Sequence, residues 1–187
     1  MQRFRKTEER EFFAHHMLLH AAALEIEQAE DTELGRFNKC LAAMTMTALA
    51  VEALVNAVGS RCGGNWAEFE KLRSHQKLDR LVTTLSISYD PTKEPWSTLI
   101  FLSGFRNDIA HAKPAVVVKE VLLPDVALKK TLFQAPLSAL EREVTLGNAR
   151  RVYAAVNLLK GKLTDALPAE MRFGIYADMW SGNTAAE

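Results

Sequence analysis

The segment Arg106-Asn107-Asp108-Ile109-Ala110-His111 gathers a guanidinium, an amide and an imidazole within two helical turns. A guanidinium stays charged and can donate two parallel hydrogen bonds to one phosphate, and an imidazole can accept or donate a proton near neutral pH. Together they suit cleavage of RNA without a metal. A ribose 2′-OH attacks the adjacent phosphorus, His111 takes or gives the proton, and Arg106 stabilises the charge that builds on the phosphorane oxygens. Asn107 would orient the phosphate or the imidazole, and the products would be a 2′,3′-cyclic phosphate and a 5′-OH. A structural reading stands beside this one: Arg106 and Asn107 satisfy the last helix carbonyls or a buried acid, and His111 caps the helix.

The spacing decides how such a site is assembled. A helix turns about 100° per residue, so Asn107 and His111 share a face while Arg106 and His111 stand about 140° apart. One helix alone does not pair them neatly, although an arginine is long enough to curl around. A second copy across a two-fold axis could supply the complementary groups, so the spacing suits a site in or near a dimer cleft.

The helix that carries the motif begins after Pro95. Trp96, Leu99, Ile100, Leu102, Phe105 and Ile109 make it apolar almost all round, which predicts burial, and Lys113-Pro114 ends it because the residue before a proline avoids the helical region. Ahead of it, Leu34, Phe37, Leu41, Met44, Ala48, Val51, Val55 and Val58 alternate steps of three and four, the pattern of a central packing helix. Glu52 flanks that seam and is a candidate to orient Arg106, with solvated flank position as its plainer role; Asn56, one turn on, has the same two readings and could bond a loop backbone. Further helices are predicted over about 7–28, over 66–87 and after Thr145, where Val152, Val156, Leu159 and Leu163 form a stripe ending before Pro168. Arg61, Lys71, Arg73, His75, Lys77 and Arg80 crowd this part of the chain, as a solvated helix face or as an RNA-tracking patch. The stretch 113–137 is irregular, and the β-branched residues between Pro114 and Pro124 leave room for a short extended or hairpin insertion. The tail 168–187 is weakly patterned, with Tyr176 and Trp180 as residues that could dock back. The expectation is an all-α bundle of about five helices in a single domain spanning 1–187, with its core over about 7–167.

Composition narrows the function classes. The 187 residues include 23 Lys and Arg against 23 Asp and Glu, so any nucleic-acid contact must rest on local clusters and not on a global cationic field. Cys40 and Cys62 have neither metal-knuckle nor disulfide spacing, which fits a reducing cytoplasm. The basic N-terminus is broken by Glu8, Glu9 and Glu11, unlike a secretory leader, and the weakly charged run Cys40 to Val51 is short for a bilayer, so no membrane partner is expected. His16 and His20 are one helical turn apart, but no third ligand is apparent, so no metal and no cofactor are expected. No Gly-rich phosphate loop follows a strand and no serine sits in a nucleophile elbow.

Arg106-Asn107-xxx-His111 resembles the R-polar-xxx-H signature of HEPN (higher eukaryotes and prokaryotes nucleotide-binding) domains, and Ala50-Val51-Glu52-Ala53-Leu54-Val55-Asn56 looks like the long helix that precedes the motif helix in many members. The resemblance runs from about Glu33 to Lys113, more loosely to Leu167. It implies an all-α HEPN-like fold and a homodimer whose Arg106 and His111 pairs face a shared cleft. It implies RNA as substrate and a metal-independent endoribonuclease acting as a toxin or defence effector. An inactive RNA- or nucleotide-binding or assembly module, partnered by an antitoxin or a nucleotidyltransferase-like protein, is the alternative that the family also contains.

Overall fold

The computed structural model describes residues 4–62, 64–122, 124, 135–177 and 180–186. Its architecture is an α-helical bundle with one two-stranded ribbon. In chain order the elements are β1 (Phe4–Arg10), α1 (Ala14–Asp31), α2 (Arg36–Cys62), α3 (Trp66–Glu70), α4 (Ser74–Thr84), α5 (Trp96–Ala110), α6 (Ala139–Glu143), α7 (Leu146–Ala166), a 3-10 turn (Ala169–Met171) and β2 (Trp180–Ala186). That makes seven α-helices among the described residues, against about five expected.

The long helices assemble around α2, which packs against α1, α7, α4 and α5. Its length and composition would also permit a membrane crossing; in this fold it is the central helix of the bundle. Leu19, Ala22, Ile26 and Ala29 of α1, Ala149, Val152, Val156, Leu159 and Leu163 of α7, and Trp96, Leu99, Leu102 and Phe105 of α5 are its buried partners, the first two sets at three- and four-residue steps and the last at steps of three. Two buried threonines inside the bundle cost little. Thr47 and Thr164 donate their hydroxyls to the carbonyls of Ala43 and Lys160 at 2.7 and 2.8 Å, so neither hydroxyl is stranded.

Several expected boundaries move. The buried face of α2 is broader than the expected seam: Met44, Val55 and Val58 are buried as expected and so are Cys40, Ala43, Thr47, Ala50 and Leu54, while Phe37 is exposed and Leu41, Ala48 and Val51 are half-buried. A helix wrapped on several sides has no single seam, so a one-stripe pattern captures only part of the buried face. The expected helix over 66–87 is two, because Arg73 takes an extended conformation (ψ 154°) at the start of α4. Gln76 closes that turn, its side-chain oxygen accepting from the Arg73 N–H at 3.0 Å. Residues 4–10, read partly as helix, form a strand that pairs antiparallel with 180–186, from Phe4 with Ala186 to Arg10 with Trp180. The apolar α5 is not buried all round, since Ile100 is 53% exposed.

Residues 112–122 contain neither helix nor strand, in line with an irregular stretch, and no hairpin forms within them; 123 and 125–134 of the expected insertion lie outside the described residues. The tail docks back and Tyr176 takes part, Lys160 Nζ donating to its carbonyl at 3.4 Å and standing 5.3 Å from its ring centroid. Ile175 is buried and Tyr176 exposed, and the side chain of Trp180 is outside the described residues. His15 and His16 donate Nε2–H to the carbonyls of Ile175 and Gly174 at 3.0 and 2.7 Å, which clasps the tail to the start of α1. Gly174 has φ +76°, and a Cβ there would collide with the Phe13 ring, so glycine is required on both counts. His20 is exposed.

Candidate functional site

Helix α5 is anchored at its start by Glu94, whose Oε1 accepts hydroxyl hydrogen bonds from Ser97 at 3.1 Å and Thr98 at 2.6 Å. An acid at this end complements the helix dipole. The inner face then runs Leu99, Leu102, Phe105 into the core, and the last two turns leave it carrying Arg106, Asn107 and His111, all exposed. Helix α5 ends at Ala110, and His111 is the C-cap, with φ −120° and its N–H bonded to the carbonyl of Asn107 at 3.0 Å.

Arg106 turns toward α2. Its Nη2 stands 3.8 Å from Glu52 Oε2, with the two side chains 45% and 40% exposed, and its Nη1 donates to Asn107 Oδ1 at 3.3 Å. Both contacts are loose and open to water, so they orient the guanidinium without neutralising it strongly. The pair closes one side of a shallow cleft of about 60 Å³, to which Val51, Ser74, Leu102 and Ser103 also contribute. Three expected residues, Arg106, Asn107 and Glu52, are thus brought together. His111 is not. It does not line that cleft, as the angular separation on the helix requires.

His111 instead extends a second face of α5. Ile100, Gly104, Asn107 and His111 recur at steps of four, three and four, so they form one stripe, and all four are exposed. Beside the stripe runs a groove of about 360 Å³ between α5 and α6, lined in part by Ile100, Phe101, Gly104 and Leu140, with Asp108 and Glu143 also in its wall. A Cβ on Gly104 would meet nothing within 4 Å, so the protomer's own packing does not require glycine there. Phe101 is covered on its other side by Arg151, whose guanidinium carbon lies 4.6 Å from the ring centroid.

Some residues of the site could not be found from spacing. Ser74 and Ser103 carry no periodic or motif signal, and only the packing of α4 against α2 brings Ser74 to the cleft. Asn56, one turn beyond Glu52, does not bond a loop; its Oδ1 accepts from the buried Lys77 Nζ at 2.9 Å. The two thiols are poor nucleophiles: burial pushes both Cys40 and Cys62 up from the usual cysteine value, with Arg36 partly offsetting the effect at Cys40. Among the described residues no group of three or more His, Cys, Asp or Glu could hold a metal.

Comparison of the chain with protein-family models, with curated proteins and with solved structures returned no match.

Proposed function

We propose that this chain is a metal-independent endoribonuclease of HEPN type that works as a homodimer, in the cytoplasm, as a toxin or defence effector. The observation that supports this best is the two-faced end of α5. One face presents an oriented guanidinium, Arg106 held by Glu52 and Asn107, at the mouth of a cleft. The other presents the imidazole of His111 on an exposed stripe with Ile100 and Gly104. A second copy seated on that stripe would cover Ile100, explain a glycine that the protomer does not need, and bring two imidazoles and two guanidinia to one groove.

The chemistry then balances without another reactant. One neutral imidazole accepts the proton of the 2′-OH as its oxygen bonds to phosphorus; one protonated imidazole gives a proton to the departing 5′-oxygen as the P–O5′ bond breaks. Arg106 donates to the phosphorane oxygens as charge builds there, and Asn107 holds the guanidinium in line. The products carry a 2′,3′-cyclic phosphate and a 5′-OH.

The test is RNA cleavage in EDTA with wild type, His111→Ala and Arg106→Lys, with end-group analysis of the products. His111→Ala should lower the rate by about a hundredfold or more. Arg106→Lys should fail to restore it, because an ammonium lacks the planar fork. Undiminished cleavage by His111→Ala, or products bearing 5′-phosphates, would falsify the proposal.

A second reading is a silent binding or assembly module with an antitoxin or nucleotidyltransferase-like partner. It is favoured by one observation: in the single copy Arg106 already has Glu52 and Asn107 as partners and does not share a cleft with His111. RNA or nucleotide bound but never cleaved, with Arg106→Ala abolishing the binding, would decide for it.

A further inference from the structure

The corner where α3 gives way to α4 is the part of the surface that the α5 site leaves unused. Lys71, Arg73, His75 and Arg80 are all exposed there. Among the described residues none of the four is in an ion pair, although Glu68, Glu70 and Asp79 are close in sequence. The guanidinium and ammonium groups of Lys71, Arg73 and Arg80 are therefore open to solvent and available to an outside anion.

The corner is rigid and adjoins the site. Lys77 is buried and its Nζ donates to Asn56 Oδ1 at 2.9 Å, which fixes α4 on α2 one turn from Glu52. Ser74, on the first turn of α4 between Arg73 and His75, lines the same cleft as Arg106. Ser74 thus brings the start of α4, flanked in sequence by Arg73 and His75, to the rim of the guanidinium's cleft.

An aromatic platform completes the corner. Trp66 is 37% exposed, and its ring stacks on Phe69 with centroids 5.7 Å apart and planes 26° apart. Phe69 is fully buried and pressed so close to Gly59 that a Cβ there would collide with its ring. One side of the indole is therefore supported by the core while part of the ring faces water. A supported ring beside unpaired cations is the combination that binds an unstacked base and its flanking phosphates.

We propose that this corner binds single-stranded RNA and leads it to Arg106, with Lys71 and Arg73 on backbone phosphates and Trp66 against a base; the inference rests on the reading of the α5 site as one that handles RNA. Duplex RNA is a poor fit, because its bases are stacked and offer no free face to Trp66.

The experiment uses the full chain and a fluorescein-labelled 2′-O-methyl oligouridylate of about 12 nucleotides, long enough for a site of this kind. The methyl group blocks 2′-OH attack, so binding is read without cleavage. Lys71→Ala/Arg73→Ala should weaken binding roughly tenfold and lower the slope of log affinity against log salt by about 1.4, the value for two phosphates on a single strand. Trp66→Ala should weaken binding by about tenfold, and Trp66→Phe should keep most of the affinity. Thermal melting of each variant controls for folding. Wild-type affinity and salt slope in both the double variant and Trp66→Ala overturn the inference, as does absence of binding by the wild type. Corner-dependent binding by a chain that never cleaves RNA sinks the nuclease reading alone. Cleavage by a chain whose RNA binding ignores the corner sinks this inference alone.

Discussion

Gly104→Ala separates a free helix surface from a surface built to meet another molecule. Glycine inside a helix costs about 0.8–1.0 kcal/mol relative to alanine. Position 104 lies within α5, and the added Cβ would meet nothing within 4 Å, so no steric term opposes that gain in the isolated protomer. The substitution should therefore stabilise the monomer by about 1 kcal/mol, a rise in Tm of about 2–4 °C for a chain of this size. Its effect on association has the opposite sign if a second copy packs on the stripe. An extra methyl at a close helix contact costs about 1–3 kcal/mol, which weakens the dimer by about 5-fold to 150-fold. Denaturant unfolding at low protein concentration reads the first effect and sedimentation equilibrium reads the second. A variant that gains stability and associates as the wild type does would refute the assignment of this face to the dimer, and the composite Arg106 and His111 site with it. A variant that loses stability as a monomer would instead show that Gly104 is packed within its own chain.

Other substitutions test separate parts of the structure. Gly59→Ala has the same gain in helix propensity but drives its Cβ into the buried Phe69 ring, so thermal melting should show a net loss of up to about 2 kcal/mol; a rise in Tm would mean that the ring can move aside. Glu52→Gln removes a half-exposed ion pair and should change stability by less than about 1 kcal/mol, while cleavage falls about tenfold if Glu52 aims Arg106. Equal cleavage by the two forms would remove Glu52 from the site. Ser138 N–H donates to Glu141 Oε2 at 2.7 Å and the Ser138 hydroxyl accepts from Glu141 N–H at 3.1 Å, a capping box that holds the Glu141 carboxyl below its ordinary value, the backbone bond first among the causes. Because the folded value is lowered, its stabilisation is present above the unfolded carboxylate value of about 4.3 and is lost as pH falls through the folded one. Glu141→Gln should flatten that part of the acid limb in a pH series of denaturant unfolding, and an unchanged limb would argue against the carboxylate's role.

Local pattern carried a large share of this structure. The Val152, Val156, Leu159, Leu163 stripe matches α7, and Thr145 at its head is the N-cap, its hydroxyl accepting from the Asn148 N–H at 3.1 Å. Helix α5 follows Pro95 and ends before Lys113-Pro114, as proline geometry requires. What failed was non-local. Phe4–Arg10 is a polar, charged stretch with no strand signature, and it is a strand only because Trp180–Ala186 lies alongside. The break at Arg73 depends on a side-chain cap, and hydrophobic periodicity does not register caps.

The sequence by itself determined that Arg106, Asn107 and His111 occupy the last turns of one helix and that Arg106 and His111 look in different directions, because residue spacing on a helix is a matter of fixed angles. Only the tertiary structure decided what each face meets. It set Glu52 beside Arg106, brought Ser74 to the same cleft, and left Ile100, Gly104 and His111 uncovered. Those neighbours come from other helices, and the angle and depth at which helices pack depend on every side chain between them, which no short motif encodes.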